Sequence, residues 1–206
     1  MASGFFSALT DAFLYRPGYF RMVDATSSRC APLMARSIVQ RFAPGRAIDY
    51  GCGTGSLLLA LRKLGVDAAG TEFAATARRY CSRKGLTVVP IDFRRSFTRL
   101  PLGSADIATS FEVGEHLPER HAANLVALIA ETAPVIVFSA ATPGQGGSGH
   151  INEQPHAYWQ RLFGEHGQGC DHRQTDSLRA EWTAGGVEPW YAANVMVFCR
   201  HDGGSP

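Results

Sequence analysis

The sequence predicts an α/β fold, a doubly wound and mostly parallel sheet with helices on both faces, and three observations carry the prediction. The short apolar run Ala47-Ile48 ends in Asp49-Tyr50, breaks into glycines at 51, 53 and 55, and passes at Ser56 into helical spacing that runs to Leu64. That is strand, tight turn, helix. From there strand-like and helix-like patterns alternate, as they do in doubly wound chains. Finally, Pro134 to Ala141 is apolar except for one serine, as expected of a strand covered on both faces.

Bulk properties narrow the class. A chain of 206 residues suits one sizeable domain. With 45% hydrophobic and 18% charged residues it is globular rather than disordered. A formal net charge of +2 makes no case for a nucleic-acid footprint. Cys30, Cys52, Cys81, Cys170 and Cys199 are odd in number, widely spaced and without a CxxC pair. Reduced thiols and a cytoplasmic location are expected, not a disulfide framework or a zinc ribbon. The apolar run near residue 5 lacks a basic flank, so no signal peptide is expected, and no run is long enough for a membrane span.

The elements are expected in this order. Residues 1–45 form an N-terminal helical cap and 46–200 the core. Phe5, Leu9, Ala12 and Phe13 recur at helical spacing up to a break at Pro17-Gly18. A second helix runs from about Ser28 to Phe42, with Cys30, Leu33, Met34, Ile38 and Phe42 on one face and Pro32 in its first turn. These helices cover a sheet edge or form part of a substrate lid. After the glycine turn and its helix, Val66 to Glu72 reads as a strand and Phe73 to Lys84 as a helix with Phe73, Ala77, Tyr80 and Cys81 inward. Thr87 to Ile91 and Ala105 to Phe111 read as strands. A helix follows Pro118 with Leu125, Leu128 and Ile129 as its stripe. Beyond the Pro134 strand comes a Gly/Ser-rich loop, then a helix from Pro155 to His166 with Tyr158, Leu162 and Phe163 inward. A shorter helix spans about Thr175 to Ala184, and Trp190 to Cys199 reads as the last strand.

The glycine spacing selects a ligand. A dinucleotide turn reads G-x-G-x-x-G and seats pyrophosphate on the helix start. Here the pattern is D-x-G-x-G-x-G, and an acid ahead of the turn repels phosphate and suits a cation. Glu72 follows Gly51 by roughly the 20 residues at which an acid meets ribose hydroxyls in nucleoside-binding α/β folds. Its carboxylate can accept from both.

Asp49 to Gly55 resembles the first motif of class I S-adenosylmethionine (SAM) methyltransferases, and Phe111-Glu112-Val113-Gly114-Glu115-His116-Leu117-Pro118 resembles the motif after their fourth strand. The second is similar to that of the ubiquinone-biosynthesis O-methyltransferases. The resemblance covers about residues 45 to 165. It implies a Rossmann-like sheet of seven strands, SAM as cofactor with S-adenosylhomocysteine (SAH) as product, and a small-molecule acceptor methylated at oxygen or nitrogen. It also implies a cofactor site of Asp49, Gly51, Cys52, Gly53, Gly55, Glu72, Phe73, Asp92, Phe93, Phe111 and Glu112, in which Asp92 holds the adenine amino group and Phe93 covers the ring. Candidate catalytic groups at the carboxyl edge of the sheet are His116, His150 and Glu112. Glu112-x-x-Glu115-His116 also resembles the metal site of small-RNA 2′-O-methyltransferases. The later histidine motif of that family is not matched and a basic RNA surface is lacking, so no metal is expected. A non-catalytic SAM-binding module is the remaining alternative. The oligomeric state has no signal in the sequence.

Overall fold

The structure, a computed structural model, describes residues 17–97 and 101–200. Its centre is a seven-stranded sheet in the order β3-β2-β1-β4-β5-β7-β6. The strands are β1 (Arg46–Tyr50), β2 (Asp67–Glu72), β3 (Val88–Pro90), β4 (Ile107–Phe111), β5 (Val135–Ser139), β6 (Gln168–Cys170) and β7 (Met196–Arg200). β1 to β5 are mutually parallel, and β7 runs antiparallel between β5 and β6. The α-helices among the described residues are α1 (Pro17–Phe42), α2 (Ser56–Lys63), α3 (Ala75–Arg83), α4 (Ala122–Thr132), α5 (His156–Gly164), α6 (His172–Ala184) and α7 (Pro189–Asn194).

Alternation along the strands builds two cores. Ala47, Ile107, Val137 and Val197 face α1, α2 and α6, against Ile38, Leu58, Leu61 and Trp182. Their neighbours Ile48, Ala108, Ile136 and Phe198 face α4 and α5, against Leu125, Ile129, Trp159 and Phe163. Period-two alternation with apolar side chains on both faces is what a doubly covered sheet requires. β1 pairs with both β2 and β4, so the strand order reverses beside β1, and the crevice beyond its carboxyl end is where open α/β sheets bind ligands.

Several elements differ from the sequence reading. The predicted helix around Phe5 to Phe13 lies outside the described residues. Pro17-Gly18 is a start and not a break: α1 runs 26 residues from Pro17, so Pro32 lies inside it rather than in its first turn. The stretch from Trp190 to Cys199 divides, because Pro189 suits the first turn of a helix, and only Met196 onward joins the sheet. β6 has no apolar pattern, being Gln-Gly-Cys at the sheet edge, and the chain reading passes over it. In α5 the fully buried aromatics are Trp159 and Phe163, not Tyr158, and Phe73 is turned outward at 38% exposure. Its ring lies under the Arg94 guanidinium.

Candidate functional site

The turn between β1 and α2 is built by left-handed glycines. Gly51, Gly53 and Gly55 have φ of 75°, 54° and 78°, a region that costs side-chain-bearing residues about 1–2 kcal/mol. Two of them also lack room. A Cβ on Gly51 would stand 2.5 Å from Val113, and one on Gly55 would stand 2.5 Å from Leu86 and 3.0 Å from the Cys81 sulfur. The amides of Gly51 and Cys52 both donate to the Thr71 carbonyl at 2.9 Å, which clamps the turn to β2. Cys52 fits closely over Gly70, where a Cβ would meet its sulfur at 3.0 Å.

Two buried acids flank this turn. Asp49, 4% exposed, accepts from the Thr109 hydroxyl at 2.7 Å. Burial pushes its carboxyl up to about 7, and the negative charge of Glu72 adds to the shift. Glu72, 8% exposed at the end of β2, accepts the Gly53 amide at 2.9 Å on one oxygen and the Ala74 amide at 2.7 Å on the other. Its pKa is also raised, by burial. Among the described residues neither acid stands in an ion pair. Each carboxylate oxygen has a second lone pair for a ligand.

Asp92 sits after β3 and is held by Arg94, whose Nε and backbone amide donate to it at 2.8 and 3.1 Å. Those contacts keep its carboxyl below the usual range. Phe93 is placed differently from the expectation: it is 4% exposed, packs in the core against Tyr50 with ring centroids 6.4 Å apart, and gives its carbonyl to Asn124. It is a core side chain, because the chain turns under β1 there. Phe111 packs between Trp182 and Tyr191, at 5.8 and 6.3 Å.

Beyond β4 the predicted motif divides into two parts. Glu112 has φ of 53°, an unusual conformation for a residue with a side chain. Its carboxylate accepts from three neutral donors: the Ser139 hydroxyl at 2.8 Å, Gln145 Nε2 at 2.9 Å and Asn194 Nδ2 at 3.3 Å. Asn194 also donates to the Gln145 side-chain carbonyl at 2.7 Å. This latch ties the Gly-rich loop to β4, β5 and α7, so Glu112 is placed as an anchor. Glu115 lies deeper. It is completely buried, and neither of its carboxylate oxygens has a hydrogen-bond partner. Burial, then the Glu112 charge, pushes its pKa well up.

The structure brings the two predicted histidines together. His116 and His150 meet edge to face at 5.1 Å. His116 Nδ1 lies 3.2 Å from the Gly149 carbonyl, which can only accept, so Nδ1 carries the proton and Nε2 the lone pair. Burial, and then the His150 charge, lowers its pKa to about 4, so it is neutral at physiological pH. His150 Nδ1 lies 2.9 Å from Glu153 Oε1, and its Nε2 faces Glu115 Oε1 at 3.9 Å. The loop bearing His150 is pinned here by the amides of Ile151 and Asn152, which donate to the Glu115 carbonyl at 2.9 and 3.1 Å.

Chain reading missed several contributors. Tyr19 of α1 stands close enough to feel both Glu115 and Glu72, which, after burial, raise its pKa. Buried Tyr191 is raised by burial and then by Glu112. Gln145 and Asn194 carry no motif; only the folded chain shows that they meet. Gly114 is glycine because the Trp159 indole lies against it, where a Cβ would stand 2.4 Å from the ring.

Comparison with known proteins gives the following. The chain matches the methyltransferase-domain family over residues 24–191. It is similar to a ubiquinone biosynthesis O-methyltransferase of Methylococcus capsulatus, 38% identical over 80 residues, which are 36% of this chain and 33% of that protein. That match spans about a third of the relative's length. In structure it is similar to a sugar N-methyltransferase from Streptoalloteichus, with a TM-score of 0.61, 18% identity, and coverage of 93% of this chain and 92% of the other. It is also similar to magnesium protoporphyrin IX methyltransferase from Synechocystis with bound SAH, with a TM-score of 0.61, 16% identity, and coverage of 97% and 95%. At such identities the structural likeness is one of fold.

Proposed function

The chain belongs to the methyltransferase-domain family, and from that premise we propose that it transfers a methyl group from SAM to an oxygen or nitrogen of a small-molecule acceptor. The observation that carries the reading is the pair of buried, raised carboxylates, Asp49 and Glu72, at a left-handed glycine turn, neither of them in an ion pair among the described residues. A phosphate ligand would be repelled there. A ligand with an ammonium, a sulfonium and a ribose diol suits these acceptors, and a structural neighbour holds SAH.

When bound, SAM supplies an electrophilic methyl group on a sulfonium. The chain's residues do the rest. Glu72 accepts from the ribose hydroxyls through the lone pairs that Gly53 and Ala74 leave free. Asp49 sets a negative charge beside the turn. Asp92 receives the adenine amino group, with the outward ring of Phe73 beside it. Gly51, Cys52, Gly53 and Gly55 let the backbone approach, and Phe111 backs the turn from β4. Phe93 supports this wall from the core. The acceptor lies toward His116 and His150, where a neutral imidazole can take a proton at Nε2. Holding acceptor and methyl in line supplies much of the rate in such a transfer.

Among the described residues no helix is long and apolar enough to cross a membrane. All five cysteines are free thiols, in keeping with a reducing cytoplasm.

Calorimetric titration with SAH tests the reading. Wild type binds it and Gly51→Val, which meets Val113, does not. A folded wild-type chain that binds neither SAM nor SAH overturns the assignment.

A further inference from the structure

The glycine turn carries one thiol and rests on a second. Cys52 lies within the turn, and its sulfur packs over Gly70 of β2. Cys81 comes from α3, and its thiol donates to the Gly53 carbonyl at 3.3 Å. A Cβ on Gly55 would stand 3.0 Å from the same sulfur. Both cysteines pack in one apolar cluster with Leu57, Leu58 and Leu86. Their access is unequal. Cys81 is 1% exposed and Cys52 is partly exposed, so the pair opens outward on the Cys52 side.

The two thiols also set each other's ionisation. The hydrogen bond from Cys52 holds the Cys81 thiol below its ordinary value, and the Lys84 ammonium at the end of α3 adds to this. The same hydrogen bond, then burial, then the Asp49 charge push the Cys52 thiol well up. Cys81 is therefore the sulfur that yields a thiolate, while Cys52 keeps its proton. Burial pushes the Cys30, Cys170 and Cys199 thiols up, so of the five only Cys81 is shifted toward the reactive form. A thiolate with a second thiol beside it is the arrangement of a redox-sensitive pair. Disulfides in reducing compartments are transient ones of this kind.

We propose that Cys52 and Cys81 form a modification site under the glycine turn, where hydrogen peroxide joins them in a disulfide that disables the turn. The Cys81 thiolate attacks one peroxide oxygen. An S–O bond forms, the O–O bond breaks, and the departing hydroxide takes up the proton that Cys81 gave away. Cys52 then attacks the sulfur of the Cys81 sulfenic acid. The S–S bond forms, the S–O bond breaks, and the second hydroxide takes the Cys52 proton. Two thiols lose two electrons, and one peroxide is reduced to two waters. The new bond draws the Cys81 sulfur off the Gly53 carbonyl and the Cys52 sulfur off Gly70, so the turn moves. A cofactor lying on the turn covers Cys52 and slows the reaction. That protection rests on the proposed methyl-donor reading; the disulfide itself does not.

The full chain is reduced, freed of reductant, and given stoichiometric hydrogen peroxide with and without SAH. Samples are quenched by alkylation, digested with trypsin and weighed by mass spectrometry. The expected product is segment 47–62 joined to segment 80–83, lighter by two hydrogens than the two reduced peptides. It forms ahead of any link through Cys30, Cys170 or Cys199, and about tenfold more slowly with SAH at about ten times its Kd. After catalase treatment, calorimetry finds SAH affinity of the linked chain lower by about tenfold or more, and dithiothreitol restores it. Cys81→Ala and Cys81→Ser, each compared with its own untreated sample, do not change affinity on exposure to peroxide. The site is overturned if the 47–62 and 80–83 segments do not join, or if another pair joins first. It is overturned equally if the linked chain binds SAH as the reduced chain does, or if both Cys81 variants lose affinity under peroxide as wild type does. A reduced wild type that fails to bind SAH removes the methyl-donor reading, and the peptide link then decides the disulfide by itself.

Discussion

Glu72 reaches from the end of β2 to accept the Gly53 amide at 2.9 Å, so the acid proposed to meet the ribose also holds the glycine turn. The two roles separate by substitution. Glu72→Gln keeps a carbonyl oxygen for one amide but sets an NH₂ group against the other donors, the ribose hydroxyls included. Affinity for SAH is expected to fall at least tenfold, about 1.4 kcal/mol. Glu72→Ala removes both acceptors and is expected to lower thermal stability as well, by about 1–3 kcal/mol for the two amides left buried. Calorimetry and thermal unfolding on both variants read this out, and unchanged SAH affinity in Glu72→Gln counts against the ribose role.

Asp49 makes a pH-dependent contribution with a definite sign. Its carboxyl titrates at about 7 in the folded chain and near 3.9 when unfolded. The folded state therefore holds the extra proton between those values. The stabilisation linked to it is fully present below about pH 4 and is lost as pH rises through 7, with a magnitude of about 4 kcal/mol. Urea unfolding of the ligand-free protein from about pH 5 to about pH 8 should show stability falling in wild type and a flatter profile in Asp49→Asn. A cationic ligand acts in the opposite direction, since it favours the ionised acid: SAM binding near pH 6.5 should release a proton, measurable as a buffer-dependent binding enthalpy. Equal pH slopes in wild type and Asp49→Asn would argue against this titration.

The parts of the molecule that were legible in the sequence are those governed by local rules. The glycine turn, the acids at 49 and 72, and the buried stripe Leu125, Leu128 and Ile129 follow from backbone geometry and periodicity, and each stands where expected. The errors have a common origin. β6 is a strand because β7 offers it an edge, not because Gln168-Gly169-Cys170 prefers one. Phe93 was read as a ligand-facing ring from its position after an acid, but the turn beyond β3 sends it inward toward Tyr50. In the same way, Glu112 and Glu115 look equivalent in the chain. Only contacts with Gln145 and Asn194, from segments 33 and 82 residues away, make one an anchor and leave the other unpartnered.

Gly55 and Gly65 offer a controlled comparison. Both are left-handed, with φ of 78° and 87°, but a Cβ on Gly65 meets nothing within 4 Å while one on Gly55 strikes Leu86 and Cys81. Gly65→Ala should cost only the backbone term, about 1–2 kcal/mol. Gly55→Ala adds overpacking against two buried side chains, and a total of about 2–5 kcal/mol is expected. Denaturant unfolding without ligand measures both. Equal losses would mean that the turn relaxes away from Leu86 and that the close approach is not what requires glycine there.

Asn194 ends α7 and joins it to the Gly-rich loop through Gln145 and Glu112, at 2.7 and 3.3 Å. Because Asn194 is 2% exposed, Asn194→Ala leaves the Glu112 and Gln145 oxygens short of a buried donor. A loss of about 1–3 kcal/mol is expected, from the unpaired groups more than from the bonds removed. The effect should be local. The Gln145 amide, which donates to the Thr142 carbonyl at 3.1 Å, and the Ile151 amide, held by Glu115 at 2.9 Å, should exchange hydrogen at least tenfold faster. Amides of β1 and β4 should slow or quicken only with global stability. Because the loop carries His150, kcat/KM for the acceptor should fall while SAH affinity stays near wild type, since Asn194 bonds Glu112 and Gln145 and not Asp49, Glu72 or Asp92. Faster exchange throughout the sheet, or a parallel loss of SAH binding, would show instead that Asn194 supports the whole fold and not the loop.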